Sequence, residues 1–442
     1  MNWWRRAYNT LRIGTLAMVQ RTLPEWPEEW IVRAQRRRIQ AMVAHAYATV
    51  PFYRRTFDEL RLRPDDIRDF DDLARLPLID SLTVSTQADQ FLSTCYDKAH
   101  LAFFRSAGTA SGVCRICYQD PETLLRELAY CERDRPIWSR MSGKFGCQCQ
   151  LYFMPPVSAT RTTRLDWNAR TVASSLLAER HFFRADATYD QVIDRLNAFR
   201  PDVVFSYGSF ADLFFRHLAD RRLTSALPRV WVYGGDGMLP GARTWIERKF
   251  GCTIWSSYQS VEAGRIGFEC ENRNGYHLNV DLYPIRILDE QGHALPPGEM
   301  GEIVVSNLIN RGMVLLNYRL GDLGVLAAGS CPCGRTLPLL KQLMGRTSQV
   351  ITLGDGRRMS ELVFRKLAWD PLGKIMQLQF LHPAPGDITF RIVSGTNADR
   401  DAMARHVTVR CRELFGDNLH AKVEFVDSIA PTPQGKFLSL IH

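Results

Sequence analysis

From about residue 100 onward the chain alternates two kinds of segment, and that alternation restricts its fold more than any other feature. Short runs rich in β-branched and aromatic residues (LAFF from Leu101, QLYFM from Gln150, DVVFSY from Asp202, RVWVYGG from Arg229, TIWSSY from Thr253, EIVVSNL from Glu302, QVITL from Gln349) are interleaved with helical stretches at 121–135, 189–199, 209–220 and 241–250. Strands alternating with helices predict an α/β architecture with substantially parallel sheet. Ahead of this region Ile31, Ile39, Met42, Val43, Ala46 and Tyr47 recur mostly at three- and four-residue steps, the pattern of an amphipathic helix, which Pro51 ends. After Gly345 and Arg346 the strand candidates QLQFL, ITFRIV and AKVEFV surround one helical stretch, NADRDAMARHVTVRCREL, the content of a small α+β domain. Two domains are expected, 1–345 and 346–442, with a hinge at the join.

At 442 residues the chain is long enough for more than one core, and 45% hydrophobic with 23% charged residues excludes disorder. The formal charge of +9 suits an anionic substrate such as a nucleotide or coenzyme A without requiring nucleic acid. Eleven cysteines, an odd number scattered from Cys95 to Cys411, point to a reducing cytoplasmic location rather than a disulfide scaffold. Arg12 interrupts the mildly apolar opening MNWWRRAYNTLRIGTLAMVQ and no small-residue cleavage site follows, so a helix packed on the body is expected there rather than a signal peptide. No run approaches the length of a membrane-spanning helix.

Four segments have chemical potential. SAGTASG (Ser106, Ala107, Gly108, Thr109, Ala110, Ser111, Gly112) follows a strand-like run; small residues let backbone N–H groups approach a phosphate, and hydroxyls add donors. No Gly-Lys-Ser/Thr follows, so it is not a Walker loop. VYGGD, ending in Gly234, Gly235 and Asp236, is a strand running into a tight turn, and YQSVE, from Tyr258 to Glu262, ends the next strand. Ligands of α/β sheets gather beyond the carboxyl ends of strands; Tyr258 offers a stacking face and Glu262 hard oxygens for Mg²⁺. GEMGEIVV and YRLGD close on Asp322, whose oxygens match the vicinal hydroxyls of a ribose. PTPQGK holds Lys436 on a constrained loop, where a cation can face a developing phosphoryl or carboxylate charge. Singly, each segment is equally a turn, a cap or a solvated charge.

In this order and at these intervals the four segments resemble the adenylate-forming superfamily of acyl-CoA synthetases, adenylation domains and luciferases, and in particular its phenylacetate-CoA ligase-like branch. The helix from Gln35 into PFYRRTF, PDDIRDFDDLARLPLID, and CPCGR (Cys331 to Arg335) leading into Gly345 and Arg346 carry the branch resemblance. It implies a large N-terminal adenylate-forming domain of mixed and parallel sheet flanked by helices, and a small mobile α+β C-terminal domain. Ser106 to Gly112 would hold the β- and γ-phosphates of ATP; Gly234, Gly235 and Tyr258 would border the adenine, with Asp236 in the same turn. Glu262 would bind Mg²⁺, Asp322 the ribose, Arg346 would sit at the domain junction, and Lys436 would contact the carboxylate and α-phosphate. The activity implied is ATP-dependent activation of a carboxylic acid, an aromatic one, as acyl-adenylate, with transfer to coenzyme A; an amine or a carrier-protein thiol is the alternative acceptor, and a non-catalytic nucleotide-binding homologue the alternative of another class. A homodimer is compatible with this reading. The chain departs from the family pattern at Val113 after the loop, at Gln259 after Tyr258, and at Ser348 in the hinge. Tyr152 with its neighbours in YFMPP, and Phe205 to Ser209, are the candidates for lining the acid pocket.

Cys270, His277, Cys331 and Cys333 add three thiolates and an imidazole, the ligand set of a closed tetrahedral zinc site, flanking the nucleotide motifs in sequence. With no ligand position left open, such a zinc would be structural.

Overall fold

The computed structural model describes residues 2–105, 116–145, 147–154, 159–172, 178–239, 241–368, 374–430 and 438–442. Two long helices, Trp3–Thr22 and Glu28–Thr49, open the chain. The second buries Ile31, Gln35, Ile39, Met42, Val43 and Ala46 along one stripe, as its spacing predicts. Pro51 ends it and also starts the following helix, Pro51–Glu59, at a position whose N–H needs no partner. The first helix packs through Ile13 against Leu125 and Ala129, leaving Trp3 and Trp4 exposed.

Hairpin β1 (Ala102–Arg105) and β2 (Ile116–Gln119) flanks the 106–115 segment. The main sheet follows, built from β3 (Gln148–Met154), β4 (Ala178–Arg184), β5 (Val203–Ser206), β6 (Val230–Gly234), β7 (Thr253–Ser260), β8 (Gly264–Glu269), β9 (Tyr276–Leu278), β10 (Ile285–Leu288), β11 (Met300–Val305), β12 (Tyr318–Leu326) and β13 (Leu339–Arg346). Its order is β10-β11-β12-β13-β9-β8-β7-β6-β5-β3-β4. The half from β4 to β7 is parallel and the half from β7 to β10 antiparallel, so direction reverses across the β7–β8 pair. Chain order also reverses within the parallel half, between β3 and β5, which opens a crevice at their carboxyl ends. Parallel strands buried on both faces need continuous apolar runs, which explains Val230, Trp231 and Val232 in β6.

The antiparallel half is tied to the N-terminal helices by one buried ion pair. Arg133 and Asp281, both wholly inaccessible, form two parallel bonds, Nη1 to Oδ1 at 2.7 Å and Nη2 to Oδ2 at 2.8 Å. Arg133 also donates to Gln20 Oε1 on the first helix and Asn279 Oδ1, while Arg38 on the second helix donates to Asp281 Oδ2 at 2.9 Å. Burial alone would raise the Asp281 carboxyl, but the facing Arg133 outweighs it and holds the group below its ordinary value.

After Arg346 the chain forms hairpin β14 (Val350–Thr352) and β15 (Arg358–Ser360), then a second sheet of β16 (Ile375–Leu381), β17 (Asp387–Ser394), β18 (His420–Phe425) and β19 (Leu440–Ile441), ordered β18-β17-β16-β19. Its own core contains Phe364, Phe380, Phe390 and Phe415, the last from the helix Arg400–Phe415. It docks on the helix Gly208–Arg221: Arg216 Nη1 donates to the Ile375 carbonyl at 2.7 Å, and Asp220 Oδ1 accepts from Thr396 N and Oγ1, each at 2.7 Å. Among the described residues no helix is long and apolar enough to cross a membrane.

Asp281→Ala leaves Arg133 charged and unpaired in the core and should cost about 3–5 kcal/mol in urea unfolding, whereas Glu122→Ala, which breaks the half-exposed pair with Arg12, should cost under about 1 kcal/mol. The Asp281 contribution should be present at neutral pH and vanish as pH falls through the depressed folded-state value, because the unfolded carboxyl takes up its proton first. Equal costs for the two variants would remove Arg133 from this role.

Candidate active site

The turn after β6 admits only small residues. A Cβ on Gly234 would lie 2.8 Å from Gln259 Nε2 and 3.1 Å from the Ser257 carbonyl, and Gly235 has φ +83°. Asp236 then spends its carboxylate on the N-terminus of the helix Gly208–Arg221, with Oδ1 accepting from Gly208 N at 2.6 Å and Ser209 N at 3.2 Å. That bond ties the ends of β5 and β6 together, a positioning use that a nucleotide contact would share with the same side chain.

Tyr258 on β7 is buried and its hydroxyl donates to Asp322 Oδ2 at 2.8 Å. Asp322 on β12 lies directly across from Arg346 on β13, whose Nε is 3.4 Å from Oδ1. Arg346 Nη1 is buried and has no partner among the described residues, an unused donor beside an anion-sized space. These groups border a cleft of about 360 Å³ that also takes in Gly235, Asp236, Ser256 and Ser257. Its other wall comes from the small C-terminal body, including Gln349, Glu361, Arg365, Leu438 and Ser439. Ser439 Oγ donates to Glu361 Oε2 at 2.7 Å and accepts from Gln349 Nε2 at 3.0 Å, while Arg365 pairs with Glu361 at 3.1 Å. This network anchors the chain three residues after Lys436 against the cleft. Sequence reasoning passed over it; the available signal was the i,i+4 spacing of Glu361 and Arg365.

Glu262, just past the end of the Tyr258 strand, is buried and is not among the residues lining the cleft. Tyr318 donates its hydroxyl to Glu262 Oε1 at 3.0 Å, and Gln119 of β2 donates to the neighbouring Val261 carbonyl at 3.5 Å. Glu262 therefore sits beside the hairpin that carries the 106–115 segment, and its oxygens suit a hard cation there. Gly234 lines a smaller adjoining pocket. Ser106, Ala107, Gly108, Thr109, Ser111, Gly112 and Lys436 lie outside the described residues, as does Val113.

That adjoining pocket, about 70 Å³, opens at the carboxyl ends of β3, β5 and β6, where chain order reverses. Tyr152, Met154, Phe205 and Tyr207, from the two segments expected to line an acid pocket, border it together with Arg265. Tyr233, Ser257 and Gln259 border both spaces, so the pocket and the cleft adjoin at the turn of Gly234 and Gly235.

Cys270, His277, Cys331 and Cys333 come together where the end of β8, strand β9 and the loop entering β13 meet, with all four ligand atoms within 4.8 Å of one another. Cys270 and Cys331 sulfurs are 3.5 Å apart, and Cys333 Sγ is 3.2 Å from His277 Nε2. Sulfurs bonded at about 2.3 Å around a tetrahedral ion stand about 3.8 Å apart, so the donor set and its span fit zinc. His277 Nδ1 faces the Leu337 carbonyl at 3.2 Å, which leaves Nε2 free to ligate. Burial holds this imidazole below its ordinary value, in the neutral form a metal requires. Burial raises the Cys333 thiol, but hydrogen bonds from the backbone and guanidinium of Arg335 and from the neighbouring Cys331 and Cys270 together bring it below its ordinary value.

No family model matches the chain. It is 24% identical over 348 residues to a phenylacetate-coenzyme A ligase of Thermus thermophilus, covering 76% of this chain and 75% of that one, and 24% identical over 336 residues to that of Escherichia coli, covering 72% of each. Its fold is similar to 2-hydroxyisobutyryl-CoA ligase in the postadenylation state, with a TM-score of 0.77 at 18% identity over 94% of this chain and 90% of that one. The same ligase in its thioesterfication state gives 0.62 at 19% identity over the same shares. Amide bond synthetase McbA from Marinactinospora thermotolerans gives 0.51 at 18% identity over 76% and 66%. The chain is thus similar in sequence to phenylacetate-CoA ligases and in fold to adenylate-forming ligases.

Proposed function

We propose that this protein activates a carboxylic acid with ATP and passes the acyl group to coenzyme A. The observation that carries the reading is the Tyr258, Asp322 and Arg346 constellation, which lines one cleft with residues of both lobes and adjoins a separate aromatic pocket. The acid occupies the pocket, and the nucleotide the cleft. Asp322 accepts from the ribose hydroxyls, held in place by the Tyr258 hydroxyl. The turn at Gly234 and Gly235 lets the adenine approach the backbone, and Arg346 offers its unused Nη1 to the nucleotide.

In the first half-reaction a carboxylate oxygen attacks the α-phosphorus, the bond to the bridging oxygen of the β-phosphate breaks, and pyrophosphate leaves. Lys436 lies against the attacking oxygen and the α-phosphate, and the 106–112 loop holds the departing phosphates through backbone N–H groups and hydroxyls. Mg²⁺ held by Glu262 supplies positive charge that offsets the phosphates when bound. Catalysis is then positioning and electrostatics. In the second half-reaction residues 346–442 turn about the Arg346 join and withdraw Lys436. The thiol sulfur attacks the acyl carbon, the bond to the phosphate oxygen breaks, AMP leaves, and the thiol proton passes to solvent. The better superposition on a postadenylation state than on a thioesterfication state of one ligase is consistent with a lobe arrangement belonging to the first half-reaction. Ser348, in a hinge position where the family commonly has Asp, favours testing an amine or carrier thiol as the competing acceptor.

Zinc held by Cys270, His277, Cys331 and Cys333 would fasten the end of β8 and β9 to the loop entering β13, the strand that ends at Arg346. Its role is structural, since the four protein ligands complete a tetrahedron.

Pyrophosphate exchange with a panel of aromatic acids should reveal the adenylate, and AMP release dependent on coenzyme A should identify the acceptor; release dependent on an amine instead would replace it. Lys436→Ala should lower exchange by at least about 100-fold, the scale of one preorganised charge donor, with ATP affinity nearly intact. Unchanged exchange would contradict the role of the lysine. Asp322→Ala should instead raise the ATP dissociation constant about tenfold or more, the scale of a charge-assisted hydrogen bond. Elemental analysis should find one zinc per chain, and Cys331→Ser should lose the metal and lower the melting temperature; a metal-free protein of undiminished stability would dismiss the site.

A further inference from the structure

The adjoining pocket is not uniformly apolar, and the one charged group among its described lining residues has unspent hydrogen-bonding capacity. Arg265, on β8, borders the pocket but not the nucleotide cleft. Its side chain is 14% exposed, and Nη1 donates to Asp134, which is 1% exposed. The Nε atom is buried without a partner, and Nη2 donates to none of the described residues. A guanidinium has five donors in a rigid plane, so a ligand that accepts from this one would satisfy groups otherwise left short. The pocket's aromatic wall supplies the complementary shape: Tyr152 stacks on Phe205 at 4.5 Å and 8°, and on Phe182 at 5.1 Å and 28°.

We propose that Arg265 selects the acid substrate, and that this substrate is a compact aromatic carboxylic acid bearing a neutral oxygen acceptor, a hydroxyl or carbonyl, away from its reacting carboxyl. This rests on the adenylation reading above, with the acid in this pocket. The reacting carboxyl has to lie by Gly234 and Gln259, where the pocket meets the cleft, while Arg265 touches the pocket alone; the acceptor and the carboxyl therefore occupy different parts of the acid. The acceptor is neutral because Asp134 already balances the guanidinium. A second carboxylate would enter a buried site with no counter-charge left for it. The ring follows from the stacked wall.

The test is pyrophosphate exchange with matched pairs of aromatic acids that differ only in a hydroxyl replaced by methyl, together with the corresponding dicarboxylic acid. The native protein should prefer the hydroxyl member of one pair by at least about tenfold in kcat/KM, the value of a hydrogen bond to a charged donor. It should disfavour the dicarboxylic acid. Arg265→Met combined with Asp134→Asn removes both charges, so no unpaired ion is left in the core, and should collapse that preference to near unity; Arg265→Lys should retain part of it. A hydroxyl preference that survives the double substitution, or equal rates for both members of every pair in the native protein, would overturn the assignment to Arg265 while leaving adenylation standing. Absence of exchange with every acid, whatever its substituent, would overturn the adenylation reading and this one with it. Should the double variant fail to fold, the native pair ratios and Arg265→Lys decide the matter by the same criteria.

Discussion

A guanidinium removed from water must have every partner in place, and Arg133 does, by drawing on three separate parts of the chain. Gln20 comes from the first helix, Asn279 and Asp281 from the loop after β9, and Arg38 of the second helix completes the carboxylate's shell. Because a half-satisfied buried ion pair is worse than none, this arrangement is all or nothing. It fixes where the chain leaves β9, inside the antiparallel half of the sheet. Asp322 sits within that half, so the position of the cleft relative to the N-terminal helices depends on an ion pair that does not line it.

The split sheet divides labour in the same way. Its parallel half ends in turns and supplies the crevice between β3 and β5; its antiparallel half supplies the cross-strand pair of Asp322 and Arg346. The Tyr258 strand belongs to both halves, and its hydroxyl makes the bond that joins them at the cleft. Gln259, the next residue, stands between the two spaces. A side chain at this position narrows the passage that a glycine would leave open.

Much of this was legible in local pattern. The runs RVWVYGG and TIWSSY became β6 and β7, and NADRDAMARHVTVRCREL became the helix Arg400–Phe415, because apolar periodicity and glycine turns act over a few residues. The four zinc-type ligands were legible because ligand chemistry is a property of residue type. Arg133 was not: in CERDRP it looks like a solvated charge, and its burial depends on a carboxylate 148 positions away. Strand β13 was hidden for a related reason, since LLKQLMGR has no clear alternation and is held by pairing with β9 and β12. The cap that Asp236 makes on a helix beginning 28 residues earlier was not legible, because a carboxylate at a glycine turn looks the same in sequence whether or not it also caps a helix.

The docking of the small body on the helix Gly208–Arg221 has an energetic corollary. Asp220 holds Thr396 through hydrogen bonds at the protein surface, where water can take the place of either partner. Each such bond is worth about 0.5–1.5 kcal/mol net. The same join also holds the buried bond from Arg216 to the Ile375 carbonyl and the packing of Leu239 on the small body's core, so parting the two bodies would cost more than the surface bonds alone.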